Sequence, residues 1–231
     1  MNVEYIDHMG SDKRVVDVAR VSFDKRTNNE ELTERDIRLI HYLASNGHWS
    51  PFAHPQLSVR VSAPIVVARQ LFKHQVGLIV NEVSRRYVDT PPFFYMPDTW
   101  RGAPENKKQG SSDLIIKELD VMYHDDKGES VEYRGIEEEV GSFYNWAADL
   151  YNLMIKNGVC PEQARLVLPQ AMYTTWIWTG SLAAFMRICN QRLMKDAQQE
   201  TRTAVALIAE IVQNRWPVSY QALINKEIPN E

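Results

Sequence analysis

LSVRVSAPIVVARQLFKHQ, residues 57–75, changes its apolar period partway along. From Leu57 through Val59 to Val61, apolar and polar residues alternate, which predicts a half-buried strand. Pro64 suits the first position of a helix, and Ile65, Ala68 and Phe72 share one side of a helix running to about Gln75. Upstream, Thr33-Glu-Arg-Asp36 offers an N-cap with an acid three residues on, predicting a helix from Thr33 to Gly47 with Ile37, Ile40 and Ala44 in one row and Leu39 and Leu43 in a second. Downstream, residues 81–112 hold four prolines and two glycines and read as irregular structure. Val140, Phe143, Ala147, Leu150 and Met154 form one helical stripe closed by Gly158, and Pro161 opens a short helix that stops before Pro169. MYTTWIWT, residues 172–179, is rich in aromatic and β-branched residues and reads as a strand with Trp176 and Trp178 in the core. Helices follow at about 181–194 and 197–214. Strands and helices alternate without regular βαβ units, which predicts an α+β fold, mixed helices packed on an antiparallel or mixed sheet. No linker is visible, so residues 1–231 are expected to form a single domain.

Composition narrows the function classes. Of 231 residues, 26 are Lys or Arg and 30 are Asp or Glu, a net charge of −4, whereas a general nucleic-acid binder carries a basic excess. The longest uninterrupted apolar run, Ala204 to Ala209, is too short to span a bilayer, and the N-terminal residues lack a signal pattern. The expectation is a soluble cytoplasmic protein with no membrane or nucleic-acid partner. The two cysteines, Cys160 and Cys189, lack CxxC spacing and write neither a zinc site nor a disulfide framework.

Three polar clusters stand out. In the first, Arg69 and Lys73 lie one helical turn apart, as do Gln70 and His74, and Asn81-Glu82-Val-Ser84-Arg85-Arg86-Tyr87 follows. Guanidinium groups grip phosphate bidentately and amides pair with base edges, so this set suits a phosphorylated, base-bearing ligand; a solvated helix face and polar turn is the plain alternative. The second, GHWSPFAH at residues 47–54, places His48 just past a helix end, where a histidine serves as cap or catalyst. His48 and His54 have no third ligand nearby, so no metal is expected. In the third, Arg165, Arg187, Asn190, Arg192, Gln198 and Glu200 lie among apolar residues; the arginines point to an anionic ligand or to pairing with the surplus acids. No P-loop, GxGxxG, GxSxG or HExxH is present.

Read in order, ARVSFD (19–24), GHWSPFAH (47–54), APIVVARQLFKHQ (63–75), NEVSRRY (81–87), ARLVLP (164–169), YTTWIWTGSL (173–182) and NQRLMKDAQQE (190–200) resemble the flavin-dependent thymidylate synthases. The resemblance spans about residues 14–217. It implies a homotetrameric α+β enzyme, with sites shared between subunits, that methylates dUMP to dTMP. FAD is the implied cofactor, methylenetetrahydrofolate the carbon donor and NADPH the reductant, and no cysteine attacks the base. Carried over by position, it places Arg192, Ser84 and His48 in catalysis, and Gln70, Glu82, Ser84, Arg85, Arg86, Arg165 and Arg192 around dUMP. Ser22, Ser50, Lys73, His74, Gln75, Ser181 and Arg187 fall at flavin positions, with His48 and Tyr87 near flavin or folate. The family signature is Arg-His-Arg, seven residues, then Ser; here it is Lys73-His74-Gln75, eight residues, then Ser84. Ser181 and Ala183 stand where the family helix supplies Asn and Arg to the flavin, and Arg187 where Asn is common. These departures leave open a related folate-dependent pyrimidine modification such as hydroxymethylation, or a nucleotide-binding homologue without catalysis.

Overall fold

The computed structural model describes residues 1–24, 31–88, 90–105, 110–125 and 128–226. In chain order the elements are β1 (Asn2–Met9), α1 (Asp12–Val21), α2 (Glu34–Ser45), β2 (Gln56–Pro64), α3 (Ile65–Leu71), β3 (Leu78–Glu82), β4 (Trp100–Arg101) and β5 (Ile115–Ile116). Then come β6 (Glu118–Asp125), β7 (Gly128–Gly135), α4 (Ile136–Lys156), α5 (Pro161–Ala164), β8 (Tyr173–Ser181), α6 (Leu182–Arg192), α7 (Gln199–Arg215) and α8 (Pro217–Leu223). They group into two compact units, one of residues 1–63, 67–82 and 175–231, the other of 64–66 and 83–174.

The first unit is built on a four-stranded sheet in the order β1-β2-β8-β3. β1 runs antiparallel to β2, with Val3 opposite Val61 and a register irregularity between Tyr5 and Asp7. β3 runs antiparallel to β8, with Leu78 opposite Gly180 and Val80 opposite Trp178. The alternation read in residues 57–61 is the alternation of β2: Leu57, Val59 and Val61 are fully buried, and Ser58 and Ser62 hydrogen-bond Thr179 and Thr175 at 2.8 and 3.3 Å on the other face. Trp176 and Trp178 join the buried face and stack edge-on with each other, and Trp178 does so with Phe185. α6 buries every residue from Leu182 to Cys189, Arg187 among them, as a helix running through a core does. α7 packs against it with Ala204, Val205, Ile208 and Val212.

α2 starts where TERD places it. The Thr33 hydroxyl accepts from Asp36 N at 3.3 Å, and the Asp36 carboxylate accepts from Thr33 N at 2.9 Å, a complete capping box. The Arg20 guanidinium pairs with the same carboxylate. Burial acts to raise the Asp36 pKa, but the Thr33 bonds and the Arg20 charge outweigh it and hold the group below its ordinary 3.8. A carboxyl depressed in the folded state adds stability above pH 3.8 that is lost as pH falls through the folded value. Thr33→Ala is expected to cost about 1 kcal/mol, and Asp36→Asn to flatten the acid limb of stability against pH. Thermal unfolding between neutral pH and pH 3 checks both.

The second unit holds the β4–β5 pair, the β6–β7 hairpin and α4. Phe94 stacks on Tyr144 with ring centroids 4.9 Å apart and bridges Met172, while Tyr173 N donates to Phe93 O at 2.8 Å. The carbonyls of Met172 and Gln170 accept from Ile65 N and Val66 N, two donors that the first turn of α3 leaves without partners.

Several sequence expectations need correction. The helix opened at Pro64 ends at Leu71, four residues early, and Pro64 closes β2. Lys73 N and His74 N bond back three residues, to Gln70 O and Leu71 O, which tightens the last turn and throws both side chains off the helix face. Of the stripe on α4 only Ala147 is buried, together with Tyr151 one turn on, and Phe143 is 48% exposed. Residues 81–112 are less irregular than expected: β3 reaches Glu82 and β4 pairs with β5, while positions 89 and 106–109 lie outside the described residues. β1, α1, β6, β7 and α8 are further elements, beyond those that the sequence marks.

Candidate functional site

The turn between α3 and β3 is held open by Gly77, whose φ of +74° a side chain would strain. Three hydrogen bonds tie this turn to α6 and the residue before it. Ser181 N donates to Gly77 O at 3.1 Å, Arg187 Nη2 to Val76 O at 2.8 Å, and Arg192 Nε to His74 Nε2 at 3.0 Å. Between turn and helix lies a cleft of about 270 Å³ lined by Lys73, His74, Gln75, Val76, Leu78, Ala184, Arg187, Gln191 and Arg192. Three cations and two side-chain amides line it, and no carboxylate does. Unoccupied by a protein acid, such a cleft attracts an anion. Burial pushes the His74 pKa down to about 4, with the Arg192 and Arg187 charges adding to it, so the ring is neutral at pH 7.

The structure therefore brings together Lys73, His74, Gln75 and Arg187 from the expected flavin set with Arg192 from the expected nucleotide set. Ser181 lies beside them, but its Oγ accepts from Ala184 N at 3.2 Å and caps α6. Gln70 is set deeper: its Nε2 donates to Gln198 Oε1, and its Oε1 accepts from Thr201 Oγ1 at 2.8 Å. Glu82 is exposed at the end of β3.

Ser84, Arg85, Arg86, Tyr87 and Arg165 belong to the second unit. Arg86 Nε donates to Ser84 Oγ at 3.2 Å and its guanidinium lies 5.1 Å from the centre of the Tyr87 ring. Arg85 donates to Thr90 O and lies over Tyr151. Arg165 Nε donates to Glu162 O at 3.3 Å and its side chain is exposed.

Ser22, His48 and Ser50 are exposed and line no part of the cleft. Ser22 caps the end of α1, and Ser50 opens a single 3₁₀ turn. The main-chain N–H of His48 donates to Leu43 O at 2.9 Å, closing α2, and its ring stacks on Tyr42. Sequence reasoning missed Gln191, although it stands one turn beyond Arg187 on α6, and Thr201, whose fully buried hydroxyl orients Gln70. Burial pushes the Cys189 thiol up to about 12, and Cys160 is exposed at the start of α5. Among the described residues no three His, Cys, Asp or Glu side chains come together as metal ligands, and no helix is long and apolar enough to cross a membrane.

The model of the family described as "Thymidylate synthase complementing protein" matches residues 4–218. A flavin-dependent thymidylate synthase of Kosmotoga olearia is 34% identical over 223 residues, 96% of this chain and 90% of that protein. One of Thermus thermophilus is 34% identical over 220 residues, covering 95% and 74%. A crystal structure of the UMP/dUMP methylase PolB from Streptomyces cacaoi bound with 5-Br dUMP superimposes with a TM-score of 0.79 at 26% identity, covering 99% of this chain and 97% of that one. The ordered motifs, the α+β fold and these relatives agree: this chain belongs to the thymidylate synthase complementing protein family, that of the flavin-dependent thymidylate synthases.

Proposed function

We propose that this chain catalyses the reductive methylation of dUMP to dTMP with FAD as cofactor, methylenetetrahydrofolate as carbon donor and NADPH as reductant. The observation that carries the reading is the cleft between the 73–77 turn and α6, cationic and free of carboxylates, in a chain of this family. That donor set fits a flavin nucleotide: Lys73 and Arg187 neutralise a diphosphate, and Gln75 and Gln191 pair with the polar edge of a ring system. Lys73 meets phosphate as a point charge, where the signature arginine would offer a fork. When bound, reduced flavin supplies the hydride that takes the transferred carbon to a methyl group.

The chain's own residues bind and polarise. Arg192 supplies charge for the nucleotide phosphate or for a uracil oxygen as negative charge develops on the ring. Gln70, oriented by Thr201 and Gln198, keeps one N–H for a uracil carbonyl. No thiol is needed, so the chain carrying both Cys160→Ser and Cys189→Ala is expected to retain turnover, measured as dTMP formed. Loss of turnover with dUMP affinity intact would mean that a cysteine attacks the base. Homotetramer formation belongs to the same reading, supported by Ile79 of β3, 75% exposed in the single chain; light scattering in solution tests it.

A second substrate enters through the structural relative, a UMP/dUMP methylase. The test is incubation of the purified protein with FAD, methylenetetrahydrofolate and NADPH against dUMP and UMP in parallel, with product masses read out. Gain of one CH₂ unit on dUMP is the expected result, gain on UMP as well would widen the substrate class, and a hydroxymethyl product would overturn the methylation reading. The visible spectrum of the purified protein, taken before FAD is added, reports bound flavin. Nucleotide binding with neither flavin colour nor turnover would leave a binding protein.

A further inference from the structure

Arg192 ends α6, and its Nε reaches His74 across 118 positions of sequence. A guanidinium has two bidentate edges, one formed by Nε and a terminal nitrogen, the other by the two terminal nitrogens. The bond to His74 occupies Nε and closes the first edge. Among the described residues neither terminal nitrogen of Arg192 has a protein acceptor, so the second edge is left to a ligand.

The acceptor's chemistry matters as much as its place. A carboxylate there would hold Arg192 as firmly but cancel its charge. A neutral imidazole orients the guanidinium and leaves the full positive charge to act on an anion. The charged groups facing His74 are Lys73 from its own turn and Arg187 and Arg192 from α6. Burial, with the Arg192 and Arg187 charges added to it, opposes protonation of the ring, which keeps the Nε2 lone pair available and the ring proton on Nδ1.

We infer that His74 is a positioning residue for Arg192, a neutral acceptor that aims its terminal edge at the anionic nucleotide without discharging it. This deepens the proposed function, since it rests on Arg192 meeting the nucleotide, and two measurements keep the two ideas apart.

The first needs no nucleotide. In ¹⁵N-histidine NMR of the whole protein, His74, assigned by its absence in His74→Gln, is expected to be unprotonated at Nε2 at pH 7 and to titrate near 4. In Arg192→Gln its titration moves up toward the ordinary 6.5 and the tautomer protonated at Nε2 gains population. An unchanged tautomer and titration in Arg192→Gln overturns the inference.

The second measures dUMP affinity by calorimetry on the flavin-loaded protein. His74→Glu, which discharges Arg192, is expected to bind at least about tenfold more weakly than His74→Gln, which keeps a neutral acceptor. Adding His74→Glu to Arg192→Gln should cost less than the same change costs in the parent, because only the direct repulsion between carboxylate and nucleotide remains. Equal losses in His74→Gln and His74→Glu, or a His74→Glu loss as large without Arg192 as with it, overturn the inference. If the parent protein does not bind dUMP, the proposed substrate is wrong, and the NMR result alone decides the inference.

Discussion

Arg192→Ala is expected to weaken dUMP binding about a hundredfold, close to 3 kcal/mol, the scale of a charge-assisted bond removed from a partly buried site. The side chain is half-buried in a cleft without a carboxylate, so its charge is screened by neither a protein partner nor full solvent. Deoxyuridine locates the contact. If Arg192 meets the phosphate, the variant loses affinity for dUMP and leaves deoxyuridine as weak as before. If it meets a uracil oxygen, both fall. The fold should be retained, because Arg192 is the last residue of α6, outside the buried run from Leu182 to Cys189. Unchanged dUMP affinity would remove Arg192 from the site.

Gly180→Ala is expected to destabilise the first unit by about 3 kcal/mol. A Cβ there would lie 2.4 Å from the carbonyl oxygen of Gly77 and 2.6 Å from Leu78 Cδ2. A backbone oxygen cannot swing aside as a side chain can, so β3 must move off β8. Overpacking of this kind costs about 1–3 kcal/mol, and the Ser181 N to Gly77 O bond, worth about 1 kcal/mol more, is lost with it. For a chain of this length the melting temperature should fall by roughly 6–12 °C. The damage is local in an informative way, because the displaced turn carries His74 away from Arg192 and couples stability to the cleft. Gly141→Ala is the contrast: within α4 a Cβ meets nothing within 4 Å, and alanine is the better helix former, so a stabilisation of up to about 1 kcal/mol is expected. Equal melting temperatures for Gly180→Ala and the parent would show that the two strands approach less closely than described.

Much of the fold was legible because one-sided burial writes itself into sequence. β2 alternates because one of its faces is core, and β8 announces itself through Trp176 and Trp178, both about 1% exposed. α2 could be read to its first residue because a capping box is a local bond between side chains three positions apart. β3 could not be read, since as an edge strand it keeps four of its five residues exposed and needs no alternation. The end of α3 was misjudged because the apolar spacing continues to Phe72, which still packs edge-on against Trp176 after the helix has stopped. The motif residues were found as types and separated in space. Lys73, His74, Gln75, Arg187 and Arg192 converge, whereas His48, Ser22 and Ser50 sit exposed outside the cleft.

What the sequence by itself determined was the local elements, the α+β class and a supply of guanidinium and amide groups in a family order. Tertiary structure alone decided that the 73–77 turn meets α6, so that His74 is neutral and Arg192 is aimed. The physical reason is range. Capping and amphipathic periods act within a few residues, but the His74–Arg192 bond closes only after β3 pairs with β8 and Gly180 lets Gly77 approach, contacts that no single stretch of chain contains.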